Sequence, residues 1–239
     1  MNGLAIDTST YVLGVAVVKD GEVVGEFMTN LKKNHSLRLM SAIRTLMEEA
    51  EMTPKQLDRI IVAQGPGSYT GVRIGVTTAK TMAWALQIPV VGVSSLKILA
   101  QYGRYFTGVI SPFFDARRGQ VYTGLYRMSN GLVENIRPDQ IILHHDWLSA
   151  LKDLGEQVLF VSPDMTKHQE TIEEVLGKKA IFGQKTENLL RPGELALLGM
   201  NQDVSVNTHE FAPNYIRLAE AEAKWLAARQ GEQKENKGE

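Results

Sequence analysis

The chain of 239 residues is long enough for one large domain or two small ones, and its 44% hydrophobic content can form a sizeable core. A net charge of −1 argues against nucleic-acid binding through bulk charge, and the absence of cysteine excludes disulfides, thiolate metal sites and a cysteine nucleophile. The first residues have no leader pattern and no apolar run could span a membrane, so we expect a cytoplasmic protein with no membrane partner.

The first strands are predicted to surround an acidic loop and a hairpin. Residues 4–6 form an apolar run that ends at Asp7, and a second apolar run covers residues 12–18. Asp20-Gly21 is typical of a tight hairpin turn, because the central residues of that turn adopt positive φ. A third strand is expected after the turn.

The same order of features returns about 110 residues later. An apolar run over residues 109–114 ends at Asp115, a strand-like run covers residues 121–126, and Asn130-Gly131 is a second hairpin turn. A fixed offset of this kind is typical of an internal repeat. The sequence therefore predicts two related halves.

Helices and strands alternate in the rest of the first half. Apolar residues recur at helical spacing over residues 34–50 and 69–86, and short apolar strands are predicted at 60–63 and 89–93. This alternation predicts an α/β fold in which each half is a mixed sheet flanked by helices.

The second half has weaker patterns. A strand is predicted at 158–161, and the residues around Asp146 and Asp164 are typical of helix starts. A last helix is expected at about 218–229, followed by a polar tail that we expect to be disordered. The predicted amino-terminal lobe, carboxy-terminal lobe, terminal helix and tail cover residues 1–104, 105–215, 216–230 and 231–239.

The stretch GPGSYTG at residues 65–71 raises the question of a phosphate site, because glycine-rich loops before helices often bind phosphate. No Lys-Ser/Thr pair follows the glycines, and their spacing misses G-x-G-x-x-G, so this interpretation is weak. Small residues recur every four positions at Gly71, Gly75, Ala79 and Ala83, which would let another helix approach closely. The helix is apolar nearly all round, and this predicts that more than one side is covered.

The helix predicted at 34–50, which has a wide apolar face, is the obvious neighbour of the helix at 69–86. These two helices side by side would leave apolar residues available to a partner chain. An ordinary intramolecular core is the alternative interpretation. The residues of the predicted partner interface are His35, Leu39, Met40, Ile43, Met47, Val72, Gly75, Val76, Ala79, Met82 and Ala83.

The histidines do not suggest a metal or catalytic site. His144 and His145 would point to opposite faces of a strand, and Asp146 is more simply a helix cap. His168 and His209 are isolated in the sequence. No nucleophile-elbow pattern supports a serine triad, so a peptidase has little support.

Four motifs resemble those of the TsaB family, in the actin-like ATPase and sugar-kinase superfamily of proteins with two ribonuclease-H-like halves. They are GPGSYTGVRIG at 65–75, PVVGVSS at 89–95, DARRGQVY at 115–122 and PNYIR at 213–217. The resemblance runs from residue 2 to about residue 217. Many members have Glu where this chain has Gln120, which speaks against an acidic role there.

The resemblance implies a partner subunit. Members pair through a four-helix bundle with a TsaD-type catalytic paralogue, which transfers threonylcarbamoyl to the adenosine beside the tRNA anticodon. The resemblance also implies a TsaE-type ATPase as partner, a homodimer when the chain is alone, and tRNA contact only within the complex. The paralogue binds a metal through HxxxH on the helix after its PVVGV-type strand. The matching residues here, Ser95 and Leu99, cannot replace two imidazoles.

An autonomous actin-like ATPase or kinase is the alternative function. The first acidic loop lacks glycine, and the matching loop of the second half contains Pro163, which has no amide donor, and Asp164, which would repel phosphate. We therefore expect a vestigial nucleotide site. Its residues are Asp7, Ser9, Asp115 and Arg117. This chain is expected to require no cofactor and no metal of its own, whereas ATP and Mg²⁺ are compatible with the interface of the complex.

Overall fold

The computed structural model describes residues 1–203 and 207–216, which form two five-stranded sheets with flanking helices. The predicted helix at 218–229 and the predicted tail lie outside these residues. The strands are Gly3–Asp7 (β1), Val12–Lys19 (β2), Glu22–Asn30 (β3), Arg59–Gly65 (β4), Val90–Ser94 (β5), Val109–Asp115 (β6), Gln120–Ser129 (β7), Leu132–Leu143 (β8), Val158–Val161 (β9) and Ala180–Phe182 (β10). The helices are His35–Glu49 (α1), Tyr69–Leu86 (α2), Ser95–Ala100 (α3), His144–Leu154 (α4), Met165–Leu176 (α5) and Pro192–Met200 (α6).

The two sheets have the same strand order. It is β3-β2-β1-β4-β5 in the first sheet and β8-β7-β6-β9-β10 in the second. The first three strands of each half pair antiparallel, and the last two run parallel to the first strand. The predicted internal repeat and the two mixed, ribonuclease-H-like half-domains are thus confirmed.

Both predicted hairpin turns are present. Asp20 and Gly21 have φ values of 53° and 89°, and Asn130 and Gly131 have φ values of 49° and 81°. Two successive residues with positive φ match the right-handed twist of the strands they join. The turns therefore fix the strand pairing at the same point of each repeat.

The helices form layers around the sheets. Helices α1 and α2 cover one face of the first sheet, whereas α3 and α6 pack on its other face, against a core that also contains residues of the second sheet. Helices α4 and α5 cover the far face of the second sheet. No helix within the described residues is long and apolar enough to cross a membrane.

Helix α6 was not predicted, and its residues fall in the range assigned to the carboxy-terminal lobe. It packs instead on the first sheet, with Leu195 and Ala196 completely buried. Pro192, at its start, fills the space that a side chain at Gly14 would occupy. Tertiary contacts determine this placement, because the short apolar helix covers strands that lie almost 200 residues earlier in the chain.

Candidate functional site

The acidic loop after β1 is closed to solvent. Asp7, Thr8 and Ser9 are exposed by 0%, 1% and 0%. One carboxylate oxygen of Asp7 accepts a hydrogen bond from the Ser9 amide at 2.8 Å, and the other has no hydrogen-bond partner among the described residues. Burial raises the pKa of Asp7 to about 6, because a desolvated carboxylate is costly to ionise.

The glycine-rich loop is what covers this acidic loop. The Ser68 amide donates to the Ser9 carbonyl at 2.7 Å, and the Thr8 hydroxyl donates to the Gly71 carbonyl at 2.7 Å. A Cβ atom at Gly67 would lie 2.3 Å from the Ser9 carbonyl oxygen, and one at Gly71 would lie 2.1 Å from that of Thr8. The glycines are therefore required by the close approach of two backbone segments.

This arrangement limits what the first loop can bind. The carbonyls of Thr8 and Ser9 face protein atoms, and no side chain of the predicted vestigial site in this half reaches the surface. A nucleotide would contact Asp7 or Ser9 only after the glycine-rich loop had moved. The role of these residues as a vestigial nucleotide site stays a prediction.

The acidic loop of the second half is more open. Asp115 accepts hydrogen bonds from the Arg117 amide at 2.9 Å and from Lys167 Nζ at 3.0 Å, and Lys167 also contacts Asp164 at 2.7 Å. Burial opposes ionisation of Asp115, but the hydrogen bonds from Lys167 and the Arg117 amide prevail and lower its pKa. Asp115 and Arg117 are thus neighbours, whereas no hydrogen bond or ion pair within the described residues joins them to Asp7.

The structure corrects three expectations about the histidines. His144 and His145 lie in the first turn of α4 and not in a strand, and the residue that caps this helix is Leu143, not Asp146. His168 is not isolated, because its Nδ1 lies 3.0 Å from Nδ1 of His144. Burial, with a smaller contribution from His168, lowers the pKa of His144 to about 4.

The positions that match the paralogue's metal ligands lie in the core. Ser95 and Leu99 on α3 are both 0% exposed, between the two sheets. Ser94 is the N-cap of this helix, and its hydroxyl accepts hydrogen bonds from the amides of Leu96 and Lys97. Within residues 1–203 and 207–216, no three His, Asp or Glu side chains are grouped so that they could bind a metal ion.

The small residues of α2 that recur every four positions do not face a partner chain. Gly75, Ala79 and Ala83 are buried, and a Cβ atom at Gly75 would lie 2.6 Å from the Thr8 hydroxyl oxygen. The small residues pack on the sheet and acidic loop of their own half-domain, so that interpretation is corrected. The predicted interface residues that belong to this chain's own core are Leu39, Ile43, Met47, Val72, Gly75, Val76, Ala79 and Ala83.

Other residues of α1 and α2 are available to a partner. Leu37 and Met40 on α1 are exposed by 79% and 55%. Of the remaining predicted residues, Met82 is half-buried, as is His35, whose Nε2 lies 2.8 Å from the Thr10 carbonyl oxygen.

A groove of about 490 Å³ opens between these helices. We call it the methionine groove, since Met40, Met47, Met52 and Met82 all line it. Sequence periodicity missed Leu37 and Met52, although the density of methionine in this region was a usable signal.

Comparison with known proteins agrees with the geometry. A family model described as "TsaD: tRNA N6-adenosine threonylcarbamoyltransferase" matches residues 22–225. The "tRNA threonylcarbamoyladenosine biosynthesis protein TsaB" of Bacillus subtilis is 53% identical over 226 residues, which is 95% of this chain and 98% of that protein.

Two solved structures from Pseudomonas aeruginosa are also similar. A protein described as similar to peptidase YeaZ has a TM-score of 0.77 at 26% identity, and YeaZ itself has a TM-score of 0.74 at 25% identity. Each comparison covers 90% of this chain and 99% of the other.

Two half-domains with the same strand order, each with an acidic residue at the end of its first strand, define a protein of the actin-like ATPase fold. The extent of the match with the Bacillus subtilis protein then identifies the group within that fold. The chain belongs to the TsaB family.

Proposed function

We propose that this chain is a non-catalytic partner subunit in the biosynthesis of threonylcarbamoyladenosine in tRNA. It dimerises with a TsaD-type paralogue and activates it, and it acts in the cytoplasm. A TsaE-type ATPase joins the complex, and a homodimer forms when the chain is alone. The names of its relatives support the pathway. The methionine groove, with Met40 exposed at it and Leu37 exposed one turn earlier on α1, is the observation that carries the docking role.

The chemistry of the groove suits a helix of another chain. Methionine side chains are unbranched and polarisable, so they adapt to the shape of a partner surface. Arg44 and Glu48 line the same groove beside Met40 and supply polar groups at its rim. Apolar residues surrounded by polar ones are typical of protein interfaces. Helices α1 and α2 would form one half of a four-helix bundle.

Two further observations support a non-catalytic role. The acidic loop of the first half is buried under the glycine-rich loop, and the positions of the paralogue's metal ligands lie between the sheets. ATP and Mg²⁺, where the complex requires them, would bind at the interface between subunits. Magnesium-dependent ATP turnover by the purified chain that disappears in Asp7→Ala or Asp115→Ala would favour an autonomous ATPase or kinase and contradict this proposal.

The docking test uses Met40→Glu. We expect binding to the TsaD-type paralogue to weaken by about 30-fold or more, because a charge in the centre of an apolar interface costs about 2 kcal/mol or more. The melting temperature should stay unchanged, since Met40 is 55% exposed. Isothermal titration calorimetry measures the affinity.

The matched control is Leu132→Glu on the β7–β8 hairpin, where the side chain is 66% exposed and far from α1 in the fold. This variant should bind the paralogue normally. If Met40→Glu and Leu132→Glu bind equally well, the methionine groove is not the docking site.

A further inference from the structure

A second groove lies on the other side of α2. It has a volume of about 550 Å³ and is formed by α2 and the segment at residues 208–215. Trp84 and Lys80 line it, and Met82, which lines the methionine groove, is two residues and hence roughly 200° around the helix from both. The two grooves therefore face different directions and can hold different partners.

Stacked aromatic rings and a cation form one end of this groove. The rings of Tyr69 and Tyr215 stack with 5.5 Å between centroids and an interplanar angle of 29°. The Arg73 guanidinium lies 5.2 Å from the centroid of the Tyr69 ring, and its Nη1 donates to the Tyr69 hydroxyl at 2.8 Å. These contacts hold a planar cation and an aromatic ring at the surface in a fixed arrangement.

These side chains remain accessible to solvent. Trp84 is exposed by 61%, Tyr69 by 50% and Tyr215 by 36%. Lys80 donates to the carbonyls of His209 and Phe211, which attaches the 208–215 segment to α2. Among the described residues that line the groove there is no Asp or Glu. The groove therefore combines aromatic faces with positive charge, and no carboxylate lines it among the described residues, although Glu210 belongs to the adjoining 208–215 segment.

Tyr11 and Lys32 form a second aromatic–cation pair. Lys32 Nζ is 5.3 Å from the centroid of the Tyr11 ring, and Tyr11 is 59% exposed. The loops that precede Tyr11 and Tyr69 touch, because the Ser68 amide donates to the Ser9 carbonyl. Both pairs consequently lie at the same end of the first half-domain. We call Tyr69, Arg73, Trp84 and Tyr215, which lie in or beside the groove, the aromatic–cation face.

We propose that the aromatic–cation face binds tRNA when the chain is part of the complex. Unpaired bases stack on exposed aromatic rings whatever their sequence, and Arg and Lys neutralise the phosphates beside them. A protein partner is the alternative, since apolar residues such as Val76 and Phe211 also line the groove, and the paralogue-binding measurement below distinguishes it. The inference rests on the proposed function, which brings tRNA to the complex.

The net charge of −1 explains why tRNA is not expected to bind the isolated chain tightly. The experiment therefore uses the reconstituted complex with its TsaD-type paralogue and a fluorescein-labelled, unmodified tRNA transcript. Fluorescence anisotropy at several salt concentrations measures the affinity. Calorimetry checks separately that each variant still binds the paralogue.

We expect Trp84→Ala to weaken tRNA binding about tenfold through the loss of base stacking. Arg73→Glu should weaken it and lower the slope of log K against log salt by about one. The control is Lys178→Glu, a charge reversal at another exposed position, just after α5 in the second half-domain. It should reduce tRNA affinity only by the small long-range effect of the added negative charge.

Four results would overturn the inference. Unchanged tRNA affinity in both variants would remove the role of the face. Loss of paralogue binding by either variant would make the aromatic–cation face a protein contact. Displacement of tRNA by millimolar ATP from the wild-type complex but not from Trp84→Ala would make it a mononucleotide site. Failure of the wild-type chain to bind its paralogue would refute the proposed function, and this inference with it.

Discussion

At the residue scale, the two acidic loops show how one repeated position acquires two environments. Asp7 and Asp115 each end the first strand of their half. Asp7 is buried and forms no ion pair within the described residues, and burial raises its pKa to about 6 despite the opposing charge of His35. Asp115 contacts Lys167, and its pKa is lowered. The two carboxyl groups therefore make opposite contributions to stability as pH changes.

Asp7→Asn should stabilise the protein at alkaline pH. The folded state holds the Asp7 proton up to about pH 6, whereas the ordinary value is 3.8, so ionisation of Asp7 opposes folding as the pH rises through this window. Removing the charge should raise the free energy of unfolding at pH 8 by up to about 3 kcal/mol, and the gain should vanish below about pH 4. Urea unfolding at both pH values measures the difference.

Asp115→Asn is the matched control for this experiment. Because the folded-state pKa of Asp115 is lowered, ionisation supports folding, and this variant should be less stable than the wild type at pH 8. A destabilised Asp7→Asn at pH 8 would show that the Asp7 carboxylate has a cationic partner that offsets its burial.

At the scale of the element, α2 packs on its own sheet with one side and lines two grooves with its other sides. Its start is capped by the Ser68 side chain, which accepts from the Gly71 amide. Gly71 and Gly75 then bring the helix against the Thr8 backbone and side chain. The outward residues Arg73 and Trp84 contribute nothing to that contact. The proposed partner contacts of this helix are therefore separable from its role in stability.

Gly71→Ala should destabilise the isolated chain. The new Cβ atom would lie 2.1 Å from the Thr8 carbonyl oxygen, so backbone must shift, and overpacking of this kind costs about 1–3 kcal/mol. Thr77→Ala, at an exposed position of the same helix, should change stability by less than about 0.5 kcal/mol. Denaturant titrations of the two variants compare them, and equal midpoints would show that the loops can separate at little cost.

At the scale of the whole molecule, the halves are joined by a shared core and by one polar network. The Ser94 hydroxyl at the end of β5 and the Tyr126 hydroxyl on β7 both donate to the Asp139 carboxylate on β8. Burial, followed by the charge of Asp139, raises the pKa of Tyr126. Helix α6 adds a second link, because the chain returns from the second half to cover the first sheet.

Asp139→Ala should weaken this link between the halves. The buried Tyr126 hydroxyl and that of Ser94 would lose their acceptor, and an unsatisfied buried hydroxyl costs about 1–3 kcal/mol. Asp139→Asn keeps one carbonyl acceptor and should lose less stability. Differential scanning calorimetry provides the measurement, and equal losses for Ala and Asn would assign the effect to charge and not to the acceptor.

Local patterns were sufficient to predict the repeat and most of the elements. The Asp-Gly and Asn-Gly turns, the alternation of apolar runs and the bounds of α2 follow from interactions between residues close in sequence. The short elements β10 and α6 were missed, because few residues carry their pattern and distant contacts place them. The pairing of His144 with His168 was missed for the same reason, since 24 residues separate them.

By itself, the sequence determined that GPGSYTG lacks the lysine and the glycine spacing of known phosphate loops, which makes the phosphate interpretation weak. Only the tertiary structure decided what its glycines do. They let the loop close over Asp7 and Ser9, and they turn the small-residue stripe of α2 inward. Periodicity shows that a helix has an apolar side, but it cannot show which side meets its own sheet. That choice depends on contacts made by residues more than 60 positions apart.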